Sequence, residues 1–141
     1  MRLPISYARV DGDRARRTKG EVHASRILLA DDNADFANSL GDLLKARGHD
    51  VRIVYDGEDA IRAAQEFKPE VAFVDIGMPK IHGYDVARRM RSMPETSGAL
   101  LVAVTGWGQE HDRKRAREAG FDRHLVKPVD PDEIDAILEN A

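Results

Sequence analysis

Three aspartates, a threonine and a lysine stand where short apolar runs of this chain turn polar. Ile27, Leu28, Leu29 and Ala30 lead into Asp31-Asp32, residues 71–74 into Asp75, residues 99–104 into Thr105, and residues 124–126 into Lys127-Pro128. Brought together, these groups suit the handling of a phosphoryl group. Three carboxylates do not stay ionised side by side without a counter-charge. Hard oxygen donors with room for water suit Mg²⁺ better than a soft metal. Lys127 adds a second, movable cation, Thr105 a hydrogen-bond donor, and a carboxylate is able to attack phosphorus in line. Each residue alone has an ordinary reading: Asp31 or Asp32 as a helix N-cap, Asp75 as a turn residue, Thr105 as a strand-end cap, Lys127 as a solvated surface lysine. Their joint placement at the ends of apolar runs favours a common site.

That placement depends on the elements between them. After the first apolar run, Phe36, Leu40, Leu43 and Leu44 recur at helical spacing, with Gly48 as a natural stop. Residues 51–54 read as a strand whose Arg52 points to a sheet edge, and 58–67 as a helix ending before Pro69. A strand over 71–74 ends at Asp75, and a helix over 83–93 ends before Pro94. The longest apolar run, 99–104, precedes a highly charged helix reaching Ala119, with Gly120 as its cap. A strand over 124–126 and a helix from Pro131 to about Glu139 complete the chain, Asp130 offering the N-cap acceptor. Five strands alternating with five helices predict an α/β fold with a parallel sheet covered on both faces. In such a fold reactive groups gather at the carboxyl ends of the strands.

Composition sets the outer bounds. The chain has 141 residues, 42% hydrophobic and 33% charged, with 22 Lys+Arg against 25 Asp+Glu. The near balance of charge argues against bulk binding to nucleic acid. Residues 1–25 hold six basic and three acidic residues and few large apolar ones, the composition of a flexible basic extension or linker before a single domain over 26–141. Cysteine is absent, which excludes disulfides and thiolate chemistry. No signal-peptide core or apolar run of membrane-spanning length is present, so a cytoplasmic location is expected.

Asp31-Asp32, Asp75-Ile76-Gly77-Met78-Pro79, Val104-Thr105-Gly106 and Ala119-Gly120-Phe121-Asp122 with Lys127-Pro128 resemble the receiver domains of two-component response regulators, over about residues 26–140. The resemblance implies a flavodoxin-like, doubly wound sheet of strand order 2-1-3-4-5. It implies a signalling switch, not a metabolic enzyme, with Asp75 as phosphoacceptor. Asp32 and Asp75 would ligate Mg²⁺ directly, Asp31 through water, and Gly77 through its backbone carbonyl. Thr105 and Lys127 would bind phosphoryl oxygens, Gly106 would let backbone approach the phosphate, and the bond before Pro128 would be cis. The implied phosphodonor is a histidine kinase or a histidine phosphotransfer domain, with a downstream protein on the face built by the fourth helix, fifth strand and fifth helix. The chain could be a stand-alone regulator or the terminal receiver of a hybrid kinase.

Some positions depart from that family's usual pattern. Three residues before Lys127 the family typically carries Tyr or Phe, whose ring swings inward as the threonine moves; here it is His124, either an imidazole that adds a titratable group to that movement or a surface residue, the switch then running through backbone shifts alone. Trp107 places a bulky ring two residues after Thr105, as a lid over the site or as simple packing. Gly77 withholds the second carboxylate that a Mg²⁺-dependent aspartyl-phosphate phosphohydrolase usually needs, which weighs against that alternative. The complete set of chemical groups opposes a degenerate receiver acting only as a binding surface. His23, His49, His82 and His111 read as surface residues, and the basic stretch 110–118, with its interleaved acids, as a solvated face.

Overall fold

The computed structural model describes residues 24–106 and 113–140. Ala24–Val129 form one compact unit and carry all five strands. In chain order these are β1 (Arg26–Ala30), α1 (Ala34–Ala46), β2 (Asp50–Val54), α2 (Gly57–Phe67), β3 (Val71–Asp75), α3 (Gly83–Ser92), β4 (Leu100–Thr105), α4 (Arg113–Ala119) and β5 (Arg123–Val126). A further helix, α5 (Pro131–Glu139), belongs to a second unit beginning at Asp130. Taken by itself, α5 starts as expected: Asp130 accepts a hydrogen bond from the Asp132 N–H at 2.9 Å, Pro131 opens the first turn, and Ile134 and Leu138 are buried.

The sheet is parallel throughout, in the order β2-β1-β3-β4-β5. This is the expected 2-1-3-4-5 order. Alternation along the strands divides the core in two. Leu28, Ala30, Ala72, Val74, Leu101 and Ala103 join one apolar cluster with Ala60, Ala64, Val86, Ala87, Met90 and Ala116 of α2, α3 and α4. The intervening residues Ile27, Leu29, Val71, Phe73, Val102 and Val104 are equally buried and serve the opposite face, where Leu40 of α1 lines a small void with Leu29, Phe73 and Val104. Full burial of β3 and near-full burial of β4 explain their unbroken apolar runs, whereas β2 is partly exposed at the edge that Arg52 marked.

Element ends differ from the sequence expectations by a residue or two. β4 runs from Leu100 through Thr105 instead of 99–104, because Leu100 N–H bonds Glu70 O and Thr105 pairs with Val126. α3 stops at Ser92, one residue early, and Met93 takes an extended conformation ahead of Pro94. Gly48 and Gly120 follow α1 and α4 at φ +91° and +120°, conformations open to glycine. Lys68 ends α2 with φ +53°, and Arg26 donates to its carbonyl through Nε at 3.0 Å and Nη2 at 2.8 Å.

The ordinary reading of the paired aspartates is excluded, and one expectation is corrected. Neither Asp31 nor Asp32 caps α1; Asn33 does, its Oδ1 accepting the Phe36 N–H at 3.1 Å, which leaves both aspartates at the strand end. His49 is not a surface residue: it is buried, and its Nδ1 accepts the Ser25 N–H at 3.0 Å. His82 is exposed but employed, its Nδ1 capping α3 through the Tyr84 N–H at 3.1 Å.

Candidate functional site at the carboxyl edge of the sheet

The parallel sheet delivers the ends of β1, β3, β4 and β5 to one edge. One carboxylate oxygen each from Asp31, Asp32 and Asp75 lies within 4.8 Å of the others. Asp31 and Asp75 are buried and Asp32 is exposed, so the cluster opens to solvent on one side. Both Asp31 oxygens are engaged: Oδ1 accepts the Asn33 N–H at 2.8 Å, and Lys127 Nζ lies 2.8 Å from Oδ2. Asp75 Oδ1 accepts the Gly77 N–H at 3.1 Å.

The electrostatic consequence falls on Asp75, whose pKa rises from 3.8 to about 6. Burial is the largest cause, followed by the charge of Asp31 and by a hydrogen bond shared with Asp32. The Gly77 N–H and the Lys127 ammonium oppose these and do not prevail. Protein cations alone therefore leave the cluster short of positive charge. The donor set fits a hard divalent cation: oxygen ligands, no sulfur or imidazole, and an open side for water.

Backbone bonds fix the remaining groups. Ile76 N–H bonds Val104 O at 3.1 Å, tying the residue after Asp75 to β4. Lys127 N–H bonds Thr105 O at 2.8 Å, and the Lys127–Pro128 peptide is cis. Gly83 N–H bonds Ile76 O at 2.8 Å; a Cβ on Gly83 would stand 2.5 Å from Ile76 Cα, so no side chain fits. Thr105 is fully buried, with its Oγ1 3.4 Å from His124 Nε2, the role of each depending on the imidazole tautomer. Gly77 is exposed and Gly106 half-buried. Trp107, assigned a lid or packing role from sequence, lies outside the described residues.

Asp31, Asp32, Asp75 and Lys127 thus meet as expected, with Thr105, His124 and Gly77 around them. Sequence reasoning missed Phe36 as a neighbour of this site. Its ring lies beneath the Lys127 ammonium, 4.3 Å from Nζ to the ring centre. Helical spacing assigned Phe36 to the core, and nothing local in the sequence links it to a lysine in the last strand's loop.

The sequence profile of the response regulator receiver domain matches residues 27–139, and this chain belongs to that family. It is a phosphoacceptor signalling switch of the two-component class. Protein PilH of Pseudomonas aeruginosa is 33% identical over 110 residues, 78% of this chain and 91% of PilH. The DNA-binding response regulator MtrA of Mycolicibacterium paratuberculosis is 33% identical over 109 residues. The chain spans 47% of MtrA and 13% of the gliding motility regulatory protein of Myxococcus xanthus, to which it is 34% identical over 102 residues. Among solved structures, a response regulator from Chloroflexus aurantiacus superimposes with a TM-score of 0.77 at 28% identity, covering 84% of this chain and 97% of the other. The receiver domain of a Pseudomonas aeruginosa sensor histidine kinase, with magnesium coordinated in its active-site cleft, gives 0.75 at 27% identity and the same coverage. Among the described residues no helix is long and apolar enough to cross a membrane.

Proposed function

We propose that Asp75 is the phosphoacceptor and that the cluster around it binds Mg²⁺. The observation that carries this reading is the convergence of three carboxylates within 4.8 Å, with Lys127 Nζ 2.8 Å from Asp31. Asp32 and Asp75 would hold the ion directly, Asp31 through water, and Gly77 through its carbonyl oxygen. When bound, the ion supplies the positive charge that the cluster lacks and that an incoming phosphoryl group requires. An oxygen of the Asp75 carboxylate attacks phosphorus, and the bond from phosphorus to a histidine nitrogen of the donor breaks, its electron pair leaving with the imidazole. Lys127 meets the phosphoryl oxygens from one side and the Thr105 hydroxyl from another. Gly106 lets the backbone come close.

The donor on this reading is a histidine kinase or a histidine phosphotransfer domain, since phosphohistidine has the transfer potential to form an acyl phosphate. Movement of Thr105 toward the phosphoryl group breaks its contact with His124 and alters the surface of α4 and β5 for a downstream protein. Slow hydrolysis of the acyl phosphate resets the switch. A small phosphodonor with Mg²⁺ should label the protein once, through a bond stable to acid and labile to base and hydroxylamine. Asp75→Asn should abolish the label; undiminished labelling of that folded variant would refute the assignment.

A further inference from the structure

The ammonium of Lys127 has two neighbours of different character. Asp31 Oδ2 is 2.8 Å away, and the centre of the Phe36 ring is 4.3 Å away. A lysine side chain has four rotatable methylene bonds, and fixing them has a large entropic cost. One ion pair leaves an ammonium free to swing around its partner oxygen. A second contact on another side removes that freedom. The negative face of an aromatic ring attracts a cation within about 6 Å, more strongly where water is partly excluded. Here the lysine side chain is 19% exposed and the aspartate side chain 5%.

Phe36 is itself firmly placed. Its N–H is bonded to the N-cap Asn33 at 3.1 Å, and its ring joins Leu29, Ala37, Leu40, Phe73 and Val104 around the small apolar void under the sheet edge. The ring is half-buried in the first turn of α1, next to the exposed Asp32 and Asp35. Core packing accounts for the inner part of the ring and leaves the part under Lys127 unexplained. The other end of the lysine is held by its own N–H to Thr105 O at 2.8 Å.

We propose that Phe36 is a positioning residue for phosphotransfer: its ring holds the Lys127 ammonium at the mouth of the carboxylate cluster before the phosphoryl group arrives. The proposal rests on the assignment of Asp75 as phosphoacceptor. It has a specific chemical requirement, since an aromatic face serves and an aliphatic side chain of similar bulk does not.

The test uses the full chain with phosphoramidate and Mg²⁺, following the rate of Asp75 labelling against donor concentration. Phe36→Leu keeps the apolar bulk and removes the ring face, and should slow labelling about tenfold, the factor that 1.4 kcal/mol represents. Phe36→Tyr keeps the face and should stay within about twofold of wild type. Proton NMR of the wild type supplies an independent reading: the Lys127 ε-methylene resonances should be shifted upfield by the ring current, and that shift should vanish in Phe36→Leu. Equal labelling rates for wild type and Phe36→Leu, or ordinary ε-methylene positions in the wild type, would overturn the proposal. So would a Tyr variant as slow as the Leu variant. Wild-type protein that takes no label at all would instead refute the phosphoacceptor assignment.

Discussion

The two edges of the sheet treat charge in opposite ways. At the amino edge of β4 and β5, Arg91 makes four hydrogen bonds. Its Nε donates to Gly120 O at 2.9 Å, Nη1 to Ser97 O at 3.0 Å and Ala99 O at 2.6 Å, and Nη2 to Asp122 at 2.6 Å. The same Asp122 oxygen accepts Leu101 N–H at 2.9 Å, and nearby the buried Thr96 hydroxyl donates to Met90 O at 2.7 Å. At the carboxyl edge, among the described residues, three carboxylates share one nearby ammonium, and the deficit shows as the raised pKa of Asp75. At the amino edge four of the five guanidinium donors are used, in a planar fork that ties three carbonyls and a carboxylate together. On the proposed reading, a divalent cation completes the carboxyl edge. That reading places stability at one edge and reactivity at the other.

The comparison is tested most severely by removing the centre of each edge. Asp75→Asn should eliminate phosphoryl labelling and leave a folded protein. Arg91→Met should act in reverse, lowering unfolding stability by about 3 kcal/mol, because several carbonyls and the Asp122 carboxylate lose their partner together. Its labelling rate at a temperature well below the transition should match wild type. Urea denaturation and labelling measured on the same two variants check both statements. An Arg91→Met protein of wild-type stability would show that the amino edge is not the clamp its geometry indicates.

Titration sharpens the contrast. Since the folded pKa of Asp75 stands near 6 against 3.8 for the ordinary carboxyl, the folded chain keeps a proton that the unfolded chain releases. The associated stability is fully present below about pH 4 and is lost as pH rises through about 6. In metal-free buffer Asp75→Asn should therefore match wild type near pH 4 and exceed it above pH 6. A gap of about 1–2 kcal/mol is expected, after discounting for solvent screening at this open site. Denaturation at several pH values with a chelator present measures it, and a gap that does not change with pH would remove Asp75 as its source. The smallest effect separates two neighbours. Asp32→Ala should weaken Mg²⁺ binding beyond Asp31→Ala by roughly fivefold, about 1 kcal/mol. Asp32 is open to solvent at the cluster, whereas both oxygens of Asp31 already have partners. Calorimetric titration of both variants decides it, equal affinities counting against the division.

Which parts of this molecule were legible in sequence follows from the range of the forces involved. β1, β3 and β4 showed themselves because burial on both faces leaves an unbroken apolar run. The carboxylate cluster was legible because a parallel sheet converts strand endings into neighbours, so Asp31, Asp75, Thr105 and Lys127 needed no knowledge of their contacts. The N-cap of α1 does not compete with the cluster for its aspartates, because Asn33, the next residue, takes that role. His49 was misread because an isolated polar residue carries no sign of the backbone N–H that will satisfy it. The Arg91 clamp and the Phe36–Lys127 pair join residues far apart in sequence through side-chain reach, which periodicity does not record.

Gly83 has a consequence for the loop between β3 and α3. Its backbone lies against Asp75 and Ile76 too closely for any side chain, and its N–H holds Ile76 O. The start of α3 is thereby fastened to the reactive strand by main chain alone. In the intervening loop Gly77, Pro79 and Lys80 are exposed, Lys80 at φ +73° with its ammonium 3.4 Å from Asp56. The side chains shown there are what an approaching protein touches beside Asp75. The spacing between Asp75 and the start of α3 is therefore set by main chain, whatever side chains the loop presents.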